Sequence, residues 1–264
     1  MKTAFIRTPI APLYKAPTSD ISLEDEVLFG MQVQAEEAEN GFFKVKTHYG
    51  YEGYIEKKHL LFCQRRVKKF ISMSEKYYFV SKNSCDILTE AKYQGRIILT
   101  LPAGSIVALE DELDDNWCRV YLCDGTVGYT RLTHLDKYIS KYDINDEALR
   151  DRLVSTAEKY LGTQYRWGGK TPWGIDCSGL CSMAYMRCGV IIFRDSRIAE
   201  GYPVREIPYE SLKKGDLVYS KGHIMMYIGD GRIIHSTSSM CGVSYGELPK
   251  RENILACGSI FADY

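Results

Sequence analysis

The sequence predicts an α+β chain in which two small all-β barrels precede a unit with helices first and an antiparallel sheet after. Three observations carry that expectation. The first half repeats itself, the texture changes past Asp136, and two helix-periodic stretches then give way to short β-favouring runs. The expected boundaries are 1–63 and 64–138 for the barrels and 139–264 for the last unit.

The repeat is a register of matched residues. Asn40-Gly41-Phe42-Phe43-Lys44-Val45 matches Asp115-Asn116-Trp117-Cys118-Arg119-Val120, and Gly50-Tyr51-Glu52-Gly53-Tyr54 matches Gly125-Thr126-Val127-Gly128-Tyr129. With His59-Leu60 against His134-Leu135, these lie at a constant offset of 75 residues. Upstream, Gly30, Val33 and Glu36 match Gly104, Val107 and Glu110 at 74, which implies one small indel. Within each copy, runs such as Val27-Leu28-Phe29, Phe42 to Thr47 and Tyr51 to Ile55 are split by Gly, Asn and Asp, the pattern of a small barrel.

In the last unit Asn145 is placed to cap a helix whose first turn holds Asp146 and Glu147. Ala148, Leu149, Leu153, Val154, Ala157, Tyr160 and Leu161 recur at helical spacing, and Gly162 ends the run. A second helix starts at Cys177, with Leu180, Cys181, Ala184, Tyr185 and Cys188 as its apolar stripe and Gly189 as its stop. Strands are expected over Leu217 to Ser220, His223 to Ile228, Arg232 to Ser236 and Ser259 to Phe261.

Composition narrows the function classes. Hydrophobic content of 45% and charged content of 26% are ordinary for a globular protein, and 34 basic residues balance 34 acidic ones. No overall field favours nucleic acid or an anionic membrane, and neither is an expected partner. The cluster Arg65-Arg66 with Lys68-Lys69 reads as a solvated linker face. No stretch approaches the ~20 apolar residues that span a bilayer. Met1 to Pro9 has no apolar core of a signal peptide, so a cytoplasmic location is expected unless a leader was trimmed. Nine cysteines form no CxxC pair and show no zinc spacing with histidine, so no metal and no cofactor is expected. The eight besides Cys177 read as buried free thiols.

Cys177 is the exception because it precedes the helix body among Gly, Asp and Ser. Unpaired N–H groups at a helix start lower a thiol's pKa and can stabilise an oxyanion. His223 and His235 belong to a hairpin turning at Gly229-Asp230-Gly231. A two-residue turn pairs Met226 with His235 and separates the rings. A three-residue loop pairs Met225 with His235 and leaves His223 one diagonal away, about 7–8 Å, on the same face. In that register one imidazole takes the thiol proton and the other orients it. Met225 and Met226 read as core, and His48, His59 and His134 as structural.

Two loose "G…V…W-x-x-V…G-x-x-G-Y" rhythms in register resemble bacterial SH3-like domains. The last 130 residues resemble the NlpC/P60 cysteine peptidases through Tyr165-Arg166-Trp167-Gly168-Gly169, Asp176-Cys177-Ser178-Gly179-Leu180, Gly215-Asp216-Leu217, Gly222-His223 through Gly229, and Ile234-His235-Ser236. The resemblance implies a circularly permuted papain-like fold and hydrolysis of γ-D-glutamyl bonds to diamino acids in peptidoglycan stem peptides. It implies Cys177 as nucleophile, His223 as base, His235 as its orienting partner, and the Tyr165 hydroxyl at the oxyanion. Barrels ahead of such a domain resemble the subgroup acting on L-Ala-γ-D-Glu-diamino-acid peptides with a free amine. There Asp176, Ser178, Asp195 and Ser196 would bind substrate, Asp176 offering a carboxylate to the ammonium. The first barrel would add a Tyr and a Glu, for which Tyr51 and Glu26 are the candidates, with Glu24 as the alternative. An endopeptidase on assembled wall with the barrels as wall-binding modules, a non-catalytic binding protein and an acyltransferase are the competing readings.

Overall fold

The computed structural model describes residues 1–62, 65–139 and 146–261. Asn145 and Cys63 lie outside them. The chain divides into two compact units, Met1–Tyr138 and Ile139–Tyr264.

The first unit holds two seven-stranded sheets. One contains β1 (Lys2–Ile6), β2 (Ile10–Tyr14), β3 (Leu23–Leu28), β4 (Gln32–Glu37), β5 (Phe42–Thr47), β6 (Glu52–Glu56) and β7 (Leu60–Phe62), in the order β3-β2-β6-β5-β4-β1-β7. After α1 (Arg65–Ser72) come β8 (Tyr77–Val80), β9 (Ser84–Leu88), β10 (Ile97–Pro102), β11 (Ile106–Glu112), β12 (Trp117–Tyr121), β13 (Val127–Arg131) and β14 (Leu135–Lys137). Their order, β10-β9-β13-β12-β11-β8-β14, is the first sheet's with every strand replaced by its repeat counterpart.

The repeat extends to irregularities. Glu24 in β3 and Ile98 in β10, equivalent at the 74-residue offset, are the residues skipped where each strand's register slips. Asn40 and Asp115, equivalent at 75, both take a left-handed φ of 55°. At such a turn Asn and Asp are among the few side chains tolerated. The copies differ in the burial of β3 and β10. Asp25 and Glu26 are buried in β3, with the Tyr49 hydroxyl donating to Asp25 Oδ2 at 2.5 Å. The equivalent Leu99 and Thr100 of β10 are only half-buried.

The basic cluster 65–69 proves to be helix α1. It buries Val67 and Phe70 and turns Arg65, Arg66, Lys68 and Lys69 outward. Phe70 meets Phe5 edge to face at 5.7 Å, and the Ile106 N–H donates to the Phe29 carbonyl at 2.8 Å, tying the copies together.

In the second unit α2 (Asp146–Glu158) precedes the short hairpin β15 (Lys170–Thr171) and β16 (Gly174–Ile175), then α3 (Cys177–Met186). The strands β17 (Arg205–Ile207), β18 (Leu217–Ser220), β19 (His223–Gly229), β20 (Arg232–Thr237), β21 (Gly242–Glu247) and β22 (Ala256–Ser259) form one antiparallel sheet, ordered β17-β22-β18-β19-β20-β21. Every residue of α3 is buried, and the helix packs on α2, β19 and β20.

Three expectations need correction here. Helix α2 stops at Glu158 and leaves Leu161 exposed, because the Gly162 N–H turns away to donate to Val243 on β21. The last strand runs over Ala256–Ser259, before the expected span, and Phe261 instead packs under the Arg150 guanidinium. Strands β17 and β21 lacked a strong apolar alternation and were not expected. Of the eight other cysteines, Cys85, Cys118, Cys123, Cys181, Cys188 and Cys257 are buried free thiols, whereas Cys241 is exposed in a left-handed turn with φ 58°.

Candidate active site

The start of α3 explains its own sequence. Asp176 is extended, with φ −93° and ψ −179°, and its Oδ1 accepts from the Gly179 N–H at 2.6 Å, a side-chain cap on the helix. Cys177 is therefore the first helical residue, where backbone N–H groups have no intrahelical acceptor. Gly179 has no alternative: a Cβ there would overlap the carbonyl oxygen of Gly169.

The Asp176 carboxylate is saturated. Besides Gly179, Oδ1 accepts from the Ser178 hydroxyl at 3.2 Å and Arg194 Nη1 at 3.0 Å, and Oδ2 from the Gly168 N–H at 2.8 Å and Arg194 Nη2 at 3.1 Å. Arg194 Nη1 also donates to Ser178 Oγ at 2.7 Å. Arg194 is 2% exposed, so this ion pair is buried and its charges cancel in place. The polar atoms of Asp176 and Ser178 hold the nucleophile loop together. Sequence reasoning passed over Arg194 itself. It stood inside the Arg194-Asp195-Ser196-Arg197 motif, but nothing local marks an arginine as buried. Asp195 and Ser196 follow on the same loop, half-buried, and burial, then the Asp195 charge, raises the Tyr202 hydroxyl pKa.

The histidines come from the β19–β20 hairpin. Asp230 and Gly231 form a two-residue turn, with φ 52° and 67°, between the pair Gly229 and Arg232. A one-residue register slip between Tyr227 and Gly229 follows, so Tyr227 pairs with Ile233 and Met226 with Ile234. Continued one step, the register sets Met225 opposite His235. The favourable register thus exists, but a tight turn plus a bulge produces it in place of a three-residue loop. His223 Nε2 lies 3.0 Å from His235 Nδ1, with ring centroids 5.2 Å apart. The far nitrogen of His235 lies above Gly246 of β21, where a Cβ would come within 3.4 Å of it.

Loop and hairpin meet at the sulfur. The backbone N–H groups of Ile224, next to His223, and of Ser178 interact with Cys177 Sγ. Ser236 Oγ donates to the Ile175 carbonyl at 2.7 Å, pinning β20 to the strand just before the nucleophile. Tyr165 bridges to Ile175, and its N–H donates to the Cys241 carbonyl at 2.9 Å. Its hydroxyl pKa is raised by burial and then by the nearby Cys177 and Asp176.

Electrostatics differ from the sequence expectation at one point. Burial, then the Asp176 charge, pushes the Cys177 thiol above its ordinary value, outweighing the two N–H groups and Arg194. Burial, then His235, pulls His223 down to about 4, and burial lowers His235 as well. Both shifts favour the uncharged forms, a thiol on Cys177 and a neutral imidazole on His223. Since His223 Nε2 faces His235, Nδ1 is the nitrogen left for the thiol. The tautomer that donates its Nε2–H to His235 Nδ1 leaves Nδ1 of His223 unprotonated.

Glu26 and Tyr51 belong to the first unit. Glu26 is buried in β3, and Tyr51 is half-buried between β5 and β6, its N–H donating to Thr47 Oγ1 at 2.9 Å. Among the described residues no three His, Cys, Asp or Glu side chains are grouped to hold a metal ion, and no helix is long and apolar enough to cross a membrane.

Residues 162–252 match the NlpC/P60 family, and residues 13–60 match the bacterial dipeptidyl-peptidase Sh3 domain. The chain is 38% identical to a protein of Lysinibacillus sphaericus named Dipeptidyl-peptidase 6, across 98% of this chain and 99% of that one. It is 30% identical to the Gamma-D-glutamyl-L-lysine dipeptidyl-peptidase of Bacillus cereus, across 83% of this chain and 68% of the relative. The crystal structure of an NlpC/P60 family protein from Bacillus cereus superposes with a TM-score of 0.83 at 26% identity, covering 97% of this chain and 98% of that one.

Proposed function

The chain belongs to the NlpC/P60 family, and from that premise we propose that it is a cysteine peptidase cutting the γ-D-glutamyl–diamino-acid bond of peptidoglycan-derived peptides with a free N-terminal L-Ala. Its place would be the turnover or recycling of released wall peptides. One observation carries this reading: the likeness to a relative named a dipeptidyl-peptidase runs through 98% of the chain, barrels included. An endopeptidase on assembled wall needs only the second unit for its chemistry and would use the barrels as wall-binding modules.

The reaction follows from the site. Cys177 Sγ attacks the γ-carbonyl carbon of D-Glu while His223 Nδ1 takes the thiol proton. Negative charge forming on the carbonyl oxygen meets the Cys177 N–H at the helix start and the Tyr165 hydroxyl. The imidazolium returns its proton to the departing amine of the diamino acid, leaving a thioester on Cys177. Water, deprotonated by His223, then releases the γ-carboxylate and restores the thiol. His235 keeps the His223 ring aimed throughout and accepts from Nε2 in both charge states. Desolvating a neutral pair is cheaper than desolvating an ion pair, so proton transfer accompanies attack.

Mass-spectrometric digestion tests the reading. L-Ala-γ-D-Glu-L-Lys or its meso-diaminopimelate counterpart should release L-Ala-γ-D-Glu and the free diamino acid, while N-acetylated peptides and intact sacculi resist. Cutting of sacculi at rates comparable to the free peptides would favour the endopeptidase reading.

A further inference from the structure

We propose that the barrel unit carries a surface anion site, in which the exposed Arg7, Arg65 and Arg66 line one cavity able to take a phosphate or phosphate monoester. The cavity measures about 390 Å³, and Leu61, Val67, Asp124 and Thr126 complete its lining. Its three arginines come from two places: Arg7 follows β1, and the adjacent Arg65 and Arg66 open α1. In a chain whose 34 basic and 34 acidic residues cancel, this is a local excess of positive charge.

The acid in the cavity does not neutralise that excess. Asp124 Oδ1 accepts from the Thr126 N–H at 2.9 Å and closes its own turn. Among the described residues Arg7, Arg65 and Arg66 form no ion pair. Lys69, on the same helix, does, reaching Glu110 Oε1 at 2.9 Å. Three guanidinium groups against one carboxylate leave a net charge that suits a dianion better than a carboxylate. Guanidinium forks match phosphate oxygens two at a time.

The Arg7 backbone and the Arg66 stem are held in place. The Arg7 N–H donates to the His59 carbonyl at 3.0 Å. The Arg66 stem lies on Gly125, where a Cβ would come within 2.6 Å of Cδ and 2.8 Å of Cβ. A side chain held by packing loses less entropy on binding than a free one. Leu61 and Val67 give the cavity an apolar wall against which the organic part of an ester can rest.

Thermal unfolding and titration calorimetry of the full chain, with sodium phosphate or glycerol phosphate against sodium chloride at matched ionic strength, test the site. Binding should be saturable and accompanied by a rise in Tm specific to the phosphates. It should weaken about tenfold or more in the Arg7→Gln/Arg66→Gln double variant. The exposed Arg65→Gln substitution, which removes no packing, should weaken it alone if the double variant unfolds. An equal rise with chloride, or an undiminished phosphate effect in these variants, would mark general salt stabilisation and overturn the proposal. Neither result bears on Cys177 chemistry, so the proposal fails or stands apart from the peptidase reading.

Discussion

The loop that presents Cys177 and the hairpin that presents His223 and His235 reach the same place by different means. In the loop, one carboxylate accepts five hydrogen bonds, an arginine is buried to match its charge, and a glycine touches a carbonyl that leaves no room for a Cβ. The hairpin has no such lattice. Its two rings meet because backbone register, corrected by one bulge, puts them on one face. Side-chain saturation makes the loop intolerant of substitution in almost any of its parts. Register makes the hairpin tolerant of any side chain that keeps the ring–ring hydrogen bond.

The largest effect belongs to the atom on which both halves converge. Cys177→Ala should lower turnover by about 10⁴-fold or more, with circular dichroism and the unfolding midpoint unchanged. Substantial residual hydrolysis would mean that neither half serves a thiol nucleophile. Arg194→Met should follow, destabilising the second unit by about 3–5 kcal/mol in urea unfolding, because it leaves Asp176 buried and unpaired. Asp176→Asn should impair free-amine and N-acetylated substrates alike, since the carboxylate serves the loop. A selective loss on free amines would show a direct role in ammonium binding. Gly179→Ala should cost about 1–3 kcal/mol as the helix start is pushed off Gly169.

The hairpin should behave otherwise. His235→Asn keeps an acceptor for His223 Nε2 and should stay within about tenfold of the wild-type kcat, whereas His235→Leu should lose about 10²-fold. Equal losses in the two variants would show that accepting from His223 Nε2 is not what His235 contributes.

This contrast also explains what could be read from the sequence. The doubled barrel was legible because glycines, Asn40 and Asp115 mark positions that backbone geometry restricts, and such marks survive in a single sequence. Cys177 stood out because its neighbours are a cap, a small polar residue and a glycine. The pairing of His223 with His235 was legible only as a choice between registers. A bulge achieved the right outcome by a route that periodicity cannot specify, since any of several residues could have been skipped. Arg194 was not legible at all. Its role depends on a partner 18 residues away and on burial, and both exist only after folding. The thiol's raised pKa was missed for the same reason: helix position is local, but desolvation is a property of the packed site.

The finest test of the comparison is pH. His223 is held down to about 4, first by burial and then by His235. The base therefore stays neutral well into the acid range, and kcat/KM for L-Ala-γ-D-Glu-L-Lys should fall only as pH drops towards that value. His235→Asn removes the second cause and keeps the first, so its acid limb should move up without reaching 6.5. Stability responds with a definite sign. Between the unfolded value near 6.5 and the folded one near 4, the unfolded chain binds a proton that the native site excludes. Stability contributed by keeping this ring neutral is present above the unfolded value and declines as pH falls through that window. Urea midpoints at pH 7 and pH 5 should differ accordingly, and by less in His223→Gln. A wild-type acid limb at 6.5 or above would show that the hairpin leaves His223 in a solvated setting, and the contrast with the sealed loop would then disappear.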